Sequence, residues 1–276
     1  MTAVPEGAPR LRIEGAGLSD VGRKRKSNED SYAISEEHNL FIVADGMGGH
    51  AAGEVASRLA VESIERHISG SDPRKEPTVP ASFRSSGKAE AAMAVPARRV
   101  LNAIRLANQE IVRSVRKDVS MRGMGTTVVI AYIHGTRAFI GSVGDSRAYL
   151  VRSGAIRQLT FDHTFVNEQV RAGALSSSEA RQHPARNILT RAVGSQEDVE
   201  PDLVEQELRS GDWLLLCSDG LTTMVDDGDI LKTILTHHDD PQAGCRALID
   251  LANERGGDDN VTVVLARAVT SGARAN

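Results

Sequence analysis

Between residues 126 and 160 short apolar runs of β type alternate with X-Gly pairs: TTVVIAYI, His134-Gly135, TRAFIGSV, the run at 147–151, Ser153-Gly154 and AIRQLT. An X-Gly pair between two such runs is a hairpin signal, because glycine supplies the positive φ that tight turns between twisted strands require. The segment reads as a meander of antiparallel strands. A chain built on consecutive hairpins cannot form the parallel sheet of a doubly wound fold, which needs a helical crossover between each pair of strands.

Further strands are expected at 11–18, 31–34, 40–44, 212–217 and 261–266. Between them the apolar period changes. Val55, Leu59, Ile64 and Ile68 recur at helical intervals over 53–68, and Val100, Ile104, Ala107, Ile111 and Val115 do so over 97–117. Two more helices are expected near the end: one over 227–236, and one opened by Asp240-Pro241 as N-cap and first helical residue and closed at Gly256-Gly257. Clustered hairpins with two pairs of helices specify an α+β fold. Two mainly antiparallel sheets stacked face to face, with helices on both outer faces, form a four-layer α-β-β-α sandwich that buries every apolar strand. The expected organisation is a flexible arm at 1–10, a single domain over 11–267 and a flexible tail at 268–276. Within the domain, 69–96 reads as an exposed loop rich in Pro, Ser and charge, and 161–187 as a polar, irregular segment with short helical pieces near 166–172 and 178–182.

Composition removes several classes of function. Of 276 residues 40% are hydrophobic and 25% charged, which excludes wholesale disorder, while aromatics at 3% leave little material for stacking bases. Thirty-three Lys and Arg against 37 Asp and Glu give a net charge of -4, so no overall basic field draws the chain to nucleic acid or to a membrane. Cys217 and Cys245 lie far apart and outside any C-x-x-C arrangement, so neither a disulfide framework nor a thiolate zinc site is expected. The first residues lack the apolar stretch of a signal peptide, and the run 128–133 is too short to span a bilayer. The expected location is the cytoplasm.

The chemistry is concentrated where strands end. FIVADG, GSVGDS and LLLCSDG each run an apolar strand into an aspartate, Asp45, Asp145 and Asp219, and GGDDN places Asp258 and Asp259 just before the last strand. Alone, each Asp-Gly is a turn signal. Together they form a rim of carboxylates with no cysteine or paired histidine nearby, the donor set of a hard cation such as Mg²⁺ or Mn²⁺. Two such ions can share a carboxylate and acidify a water into a nucleophile for phosphorus, which makes a phosphoester the matching substrate. Upstream, GRKRKSNEDS joins a basic cluster to Asn28, Glu29 and Asp30, so that an arginine can grip phosphate oxygens while an acid orders water.

Seven motifs then stand in order: R-x-x-NED at 25–30, DGMGGHAAGEVAS at 45–57, GMGTT at 123–127, VGDSRAYL at 143–150, LTFDHT at 159–164, CSDGL at 217–221 and DDNVTVVL at 258–265. The chain thereby resembles the metal-dependent protein phosphatases, the type-2C serine/threonine phosphatases in their bacterial form, over residues 11–265. The resemblance implies the four-layer sandwich and hydrolysis of phosphoserine and phosphothreonine by a hydroxide bridging two Mn²⁺ or Mg²⁺ ions. It assigns Asp45 as the bridging ligand, the carbonyl of Gly46 as a further ligand, and Asp219 and Asp259 as completing the pair. It assigns Asp145 to a possible third ion, Arg25 to the substrate phosphate, and Glu29 and Asp30 to contact with the metals through water. Residues 161–187 correspond to a flap beside the active site. Phosphorylated proteins and a cognate serine/threonine kinase are the implied partners. In one respect the chain departs from eukaryotic relatives, which often carry a histidine after the DG; Met47 stands there, and His50 and His163 are the histidines within motifs. The group that protonates the leaving alkoxide is left unassigned.

Overall fold

The computed structural model describes residues 11–48, 52–70 and 93–270. The expected arm at 1–10 and the interior of the expected loop, 71–92, lie outside the described residues, as do 271–276 of the tail. In chain order the elements are β1 (Leu11–Asp20), β2 (Asp30–Ser35), β3 (Leu40–Met47), α1 (Ala52–Gly70), α2 (Val95–Lys117), β4 (Gly125–Thr126), β5 (Val128–His134), β6 (Arg137–Val143), β7 (Arg147–Arg152) and β8 (Ala155–Gln158). Then follow α3 (Phe165–Arg171), α4 (Ser177–Gln182), β9 (Asp202–Glu207), β10 (Trp213–Cys217), α5 (Asp219–Thr222), α6 (Asp227–Thr236), α7 (Pro241–Glu254) and β11 (Val261–Thr270).

Every strand pairing is antiparallel. One sheet runs in the order β1-β11-β10-β7-β8, the other β2-β3-β5-β6-β9 with β4 paired to β3. Strand pleating distributes the side chains into three layers of core. From β3, Phe41 and Val43 meet Leu214, Leu216 and Val264 between the sheets, while Leu40, Ile42 and Ala44 meet Ile64, Ile104 and Ile111 of α1 and α2. From β10, Trp213, Leu215 and Cys217 point to the other outer layer, where Ile230, Ile234, Leu248 and Ile249 of α6 and α7 cover them. Both faces of each central strand are therefore buried, which is why these strands read as unbroken apolar runs and not as alternating ones. Gly141 of β6 permits the close seating of α2: a Cβ there lies 2.5 Å from Val100 Cγ1.

The observed architecture is the expected four-layer arrangement. Several element boundaries differ from the sequence reading, most of them by one to three residues. The last strand continues to Thr270, because Leu11 pairs with Thr270 and the ladder with β1 runs its full length, so 268–270 are sheet and not tail. α1 persists to Gly70 and α2 begins at Val95, which trims both ends of the segment expected as loop. β9 was not anticipated: DLVEQE is an edge strand whose two apolar residues, Leu203 and Val204, are adjacent and do not alternate with polar ones, so it does not register as β. Among the described residues no helix is long and apolar enough to cross a membrane.

Candidate active site

Antiparallel pairing brings the acidic strand ends together. In the β2–β3 ladder Asp30 stands opposite Asp45. The β1–β11 ladder sets Asp20 opposite Val261, which carries Asp259 and Asn260 against the turn that follows β1. Asn260 then organises that turn. Its Oδ1 accepts from the Glu29 amide at 2.8 Å, and its Nδ2 donates to the carbonyls of Val21 at 3.0 Å and Ser27 at 2.9 Å. The amides of Arg23 and Lys24 donate to the Gly257 carbonyl from the same side. Asp219 opens α5 immediately after β10, and Asp145 sits in the turn that leads from β6 in one sheet to β7 in the other.

The end of β3 touches the start of α1 backbone to backbone. A Cβ at Gly46 lies 2.1 Å from the Gly53 carbonyl oxygen, and one at Gly53 lies 1.9 Å from Glu29 Oε2. The Gly46 amide donates to the Glu29 carbonyl at 3.1 Å, and Ser57 of α1 donates its hydroxyl to the same carbonyl at 2.6 Å. On the other side Thr126 and Thr127 grip Asp45: its carbonyl accepts from the Thr126 hydroxyl and the Thr127 amide, and its amide donates to Thr127 Oγ1 at 3.1 Å.

The assembled carboxylates perturb one another strongly. Asp45, near the end of β3, is partly accessible, and its pKa is raised well above the usual range, first by burial and then by the charges of Asp30, Asp219, Asp145 and Asp259. Asp219 is raised by burial and by Asp259, with Asp45, Arg25 and Arg147 opposing. Asp145 is pushed up to about 7 by burial, then by Asp219 and Asp162. Asp30 reaches about 7 through burial, although its Oδ2 accepts from Thr262 at 2.6 Å and Ser218 at 2.8 Å, and its buried Oδ1 has no hydrogen-bond partner. So much mutually destabilised negative charge in one place calls for a cation.

The donor set fits a hard divalent ion: carboxylates and a backbone carbonyl only, with an orphaned buried carboxylate oxygen beside them. Among the described residues no three His, Cys, Asp or Glu side chains already converge on a single point as ligands. Asp259 instead engages the half-exposed Arg25, whose Nη2 lies 2.6 Å from Asp259 Oδ2 and whose pKa that contact raises. Arg25 thus stands at the rim, over the carboxylates. A cavity of about 840 Å³ opens from Asp145 and Asp219 toward the 161–187 segment, lined there by Thr164, Asn167, Arg181 and Arg186.

The structure therefore brings together Arg25, Asp30, Asp45, Asp219 and Asp259, with Glu29 and Gly46 at the start of α1 and Asp145 across from Asp219. Met47 pairs with Gly125 in the β3–β4 ladder, and His50 lies outside the described residues. His163 is fully buried, with Nδ1 accepting from the Gly144 amide. Sequence reasoning passed over Asn260, Thr127, Ser218 and Thr262, all of which lie inside the quoted motifs but act through backbone or acid partners. It also passed over Asp162, buried and gripped by Arg147 through Nε at 3.0 Å and Nη2 at 2.7 Å, with Gln158 and Asn167 donating as well. Its only signal was its place in LTFDHT.

Residues 21–246 match the family model described as protein phosphatase 2C. The serine/threonine phosphatase stp of Listeria innocua is 39% identical over 250 residues, covering 90% of this chain and 92% of that one. Among solved structures, the serine/threonine phosphatase PstP/Ppp of Mycobacterium tuberculosis superposes with a TM-score of 0.79 at 36% identity, covering 93% of this chain and 98% of that one. The catalytic domain of PstP in complex with 2 manganese ions gives 0.77 at 36% identity, with 94% and 99% covered. The family match takes in the strand ends that carry Asp30, Asp45, Asp145 and Asp219, and the structural match extends over nearly the whole described chain; by both, the chain belongs to the protein phosphatase 2C family.

Proposed function

We infer that this chain hydrolyses phosphoserine and phosphothreonine in proteins, with Mn²⁺ or Mg²⁺ held by Asp45, the Gly46 carbonyl, Asp219 and Asp259, and a possible third ion at Asp145. The observation that carries the reading is the gathering of buried carboxyls in which Asp45, Asp219 and Asp145 are all raised, with Asp259 adding its charge to Asp45 and Asp219 and Arg25 bound to Asp259. A pair of divalent ions held there would supply Lewis acidity, neutralising the carboxylates and lowering the pKa of a water so that it could serve as the nucleophile toward phosphorus.

The chain's own groups do the rest. Arg25 presents a planar guanidinium at the mouth of the cleft, suited to two phosphate oxygens, and its salt bridge to Asp259 aims it there. Glu29 and Asp30 flank the carboxylates without joining the ligand set and orient water. Asn260 and Thr127 hold the backbone that carries them. Residues 161–187, whose α3 and α4 wall the cavity, act as the flap against which the substrate protein lies. A serine/threonine kinase acting on the same proteins, in the cytoplasm, is the partner activity.

The test is phosphate release from a phosphothreonine peptide with Mn²⁺, with Mg²⁺ and with EDTA, for wild type and Asp45→Ala in parallel. Turnover that requires the ion and vanishes in the variant is the expected result. Full activity in Asp45→Ala refutes the site; activity on sugar phosphates or nucleotides in place of the peptide refutes the substrate class.

A further inference from the structure

We propose that His163 is a positioning residue that fixes Asp145 in the cleft and ties it to the base of the 161–187 segment, a role that rests on the reading of Asp145 as a cation-binding carboxylate. Asp145 occupies the middle of the turn 144–146, and that turn is held on both sides. On one side Ser146 Oγ lies 2.6 Å from Thr127 Oγ1, the same hydroxyl oxygen that accepts from the Asp45 amide. Gly144 presses on Thr127 as well: it adopts φ +100°, and a Cβ there lies 2.6 Å from Thr127 Cβ.

On the other side both backbone polar groups of Gly144 are taken by one residue. The Gly144 amide donates to His163 Nδ1 at 3.1 Å, and the His163 amide donates to the Gly144 carbonyl at 2.8 Å. The amide donor at Nδ1 assigns the ring hydrogen to Nε2, which faces Asp202 Oδ2 at 3.2 Å. Asp202 is anchored in turn by Arg191 at 2.9 Å. The His163 carbonyl accepts from the Thr190 amide at 2.9 Å, and next to it Thr164 bridges to Leu189. His163 thus joins the two ends of the segment that walls the cavity and clamps the residue adjacent to Asp145. Its side chain is fully buried, so no solvent can substitute for these contacts.

His163→Asn and His163→Gln separate this role from simple filling of space. Asparagine places an acceptor near the position of Nδ1, whereas glutamine places its amide near Nε2, facing Asp202. Three readouts apply to the full chain: hydrogen exchange of the Gly144 amide by NMR in EDTA, Mn²⁺ binding by calorimetry, and phosphate release against Mn²⁺ concentration. We expect the Gln variant to exchange Gly144 about tenfold faster and to bind Mn²⁺ about tenfold more weakly, the effect of one lost hydrogen bond. The Asn variant should recover most of both. Wild-type exchange and Mn²⁺ binding in the Gln variant overturn the proposal, as does equal impairment of the Asn and Gln variants. Should neither variant fold, Asp202→Asn removes the charge facing Nε2 at a half-exposed site, and unchanged Gly144 exchange there overturns it. A wild type without Mn²⁺-stimulated release defeats the functional reading instead, while the Gly144 exchange still decides the role of His163.

Discussion

Asp30 shows at the scale of one residue how the site holds charge it would otherwise reject. Two hydroxyls, Thr262 and Ser218, donate to Oδ2, yet burial still lifts the group to about 7. Removing one donor should cost about 1–3 kcal/mol when the carboxylate is ionised, and little when it is protonated. Thr262→Val keeps the shape, so its destabilisation by urea in EDTA should be clearly larger at pH 8 than at pH 5.5; an equal loss at both values refutes a role in holding the charge. Arg25 contrasts with it. Its salt bridge to Asp259 is half-exposed, with side-chain accessibilities of 53% and 36%, and such pairs contribute about 0–1 kcal/mol. Arg25→Ala should therefore leave the urea midpoint nearly unchanged while raising KM for a phosphothreonine peptide more than it lowers kcat. A fall in kcat at constant KM is the contrary result.

At the scale of elements, β3 and the start of α1 approach closely in the site, and the two glycines that make the contact differ in what surrounds them. A Cβ at Gly46 meets backbone, the carbonyls of Gly53 and Glu29 at 2.1 and 2.6 Å. At Gly53 the nearest obstacle is the end of the Glu29 side chain, which can rotate away. Overpacking of this kind costs about 1–3 kcal/mol, and more where backbone must move. Gly46→Ala should thus destabilise more than Gly53→Ala in thermal melts, with the reverse order counting against a backbone contact. None of this was legible in the sequence beyond the motif itself. The elements were legible: the helices at 227–236 and from Pro241 matched closely because caps and apolar period agreed, as with Asp240 accepting from the amides of Gln242 and Ala243. β9 escaped because an edge strand with one solvated side carries little apolar signal, and α5 because a four-residue turn after Ser218 has no period to read.

Across the whole molecule the site is a product of topology. Its acids come from residues 29–30, 45, 145, 219 and 259, and only the pairing of the first strand with the last sets Asp259 beside Arg25. Local pattern marked each strand end as acidic, and the family resemblance supplied their convergence; the clamps on them, Asn260, Thr127 and His163, depend on backbone partners that no residue pattern reveals. The same convergence has a thermodynamic consequence. Asp30 and Asp145 stand at about 7 in the folded chain, against about 3.9 for an unperturbed aspartate. Between those values the folded state holds protons that the unfolded chain has released, so stability falls as pH rises from about 4 and levels off only above the folded values. Asp202 has the opposite sign: lowered to about 2, first by His163, it contributes stability above about pH 4 that is lost only in stronger acid. It leaves the window from pH 5.5 to 8 to the raised carboxyls. In EDTA the melting temperature should therefore be lower at pH 8 than at pH 5.5. One pKa unit corresponds to about 1.4 kcal/mol, and each kcal/mol to about 2–4 °C in a domain of this size, so the decline should amount to several degrees. Mn²⁺ prefers the ionised carboxylates and should raise the melting temperature most at pH 8, flattening the profile. A melting temperature that is level or rising from pH 5.5 to 8 in EDTA, or an Mn²⁺ increment independent of pH, means that these carboxyls are not the strained charge their burial implies.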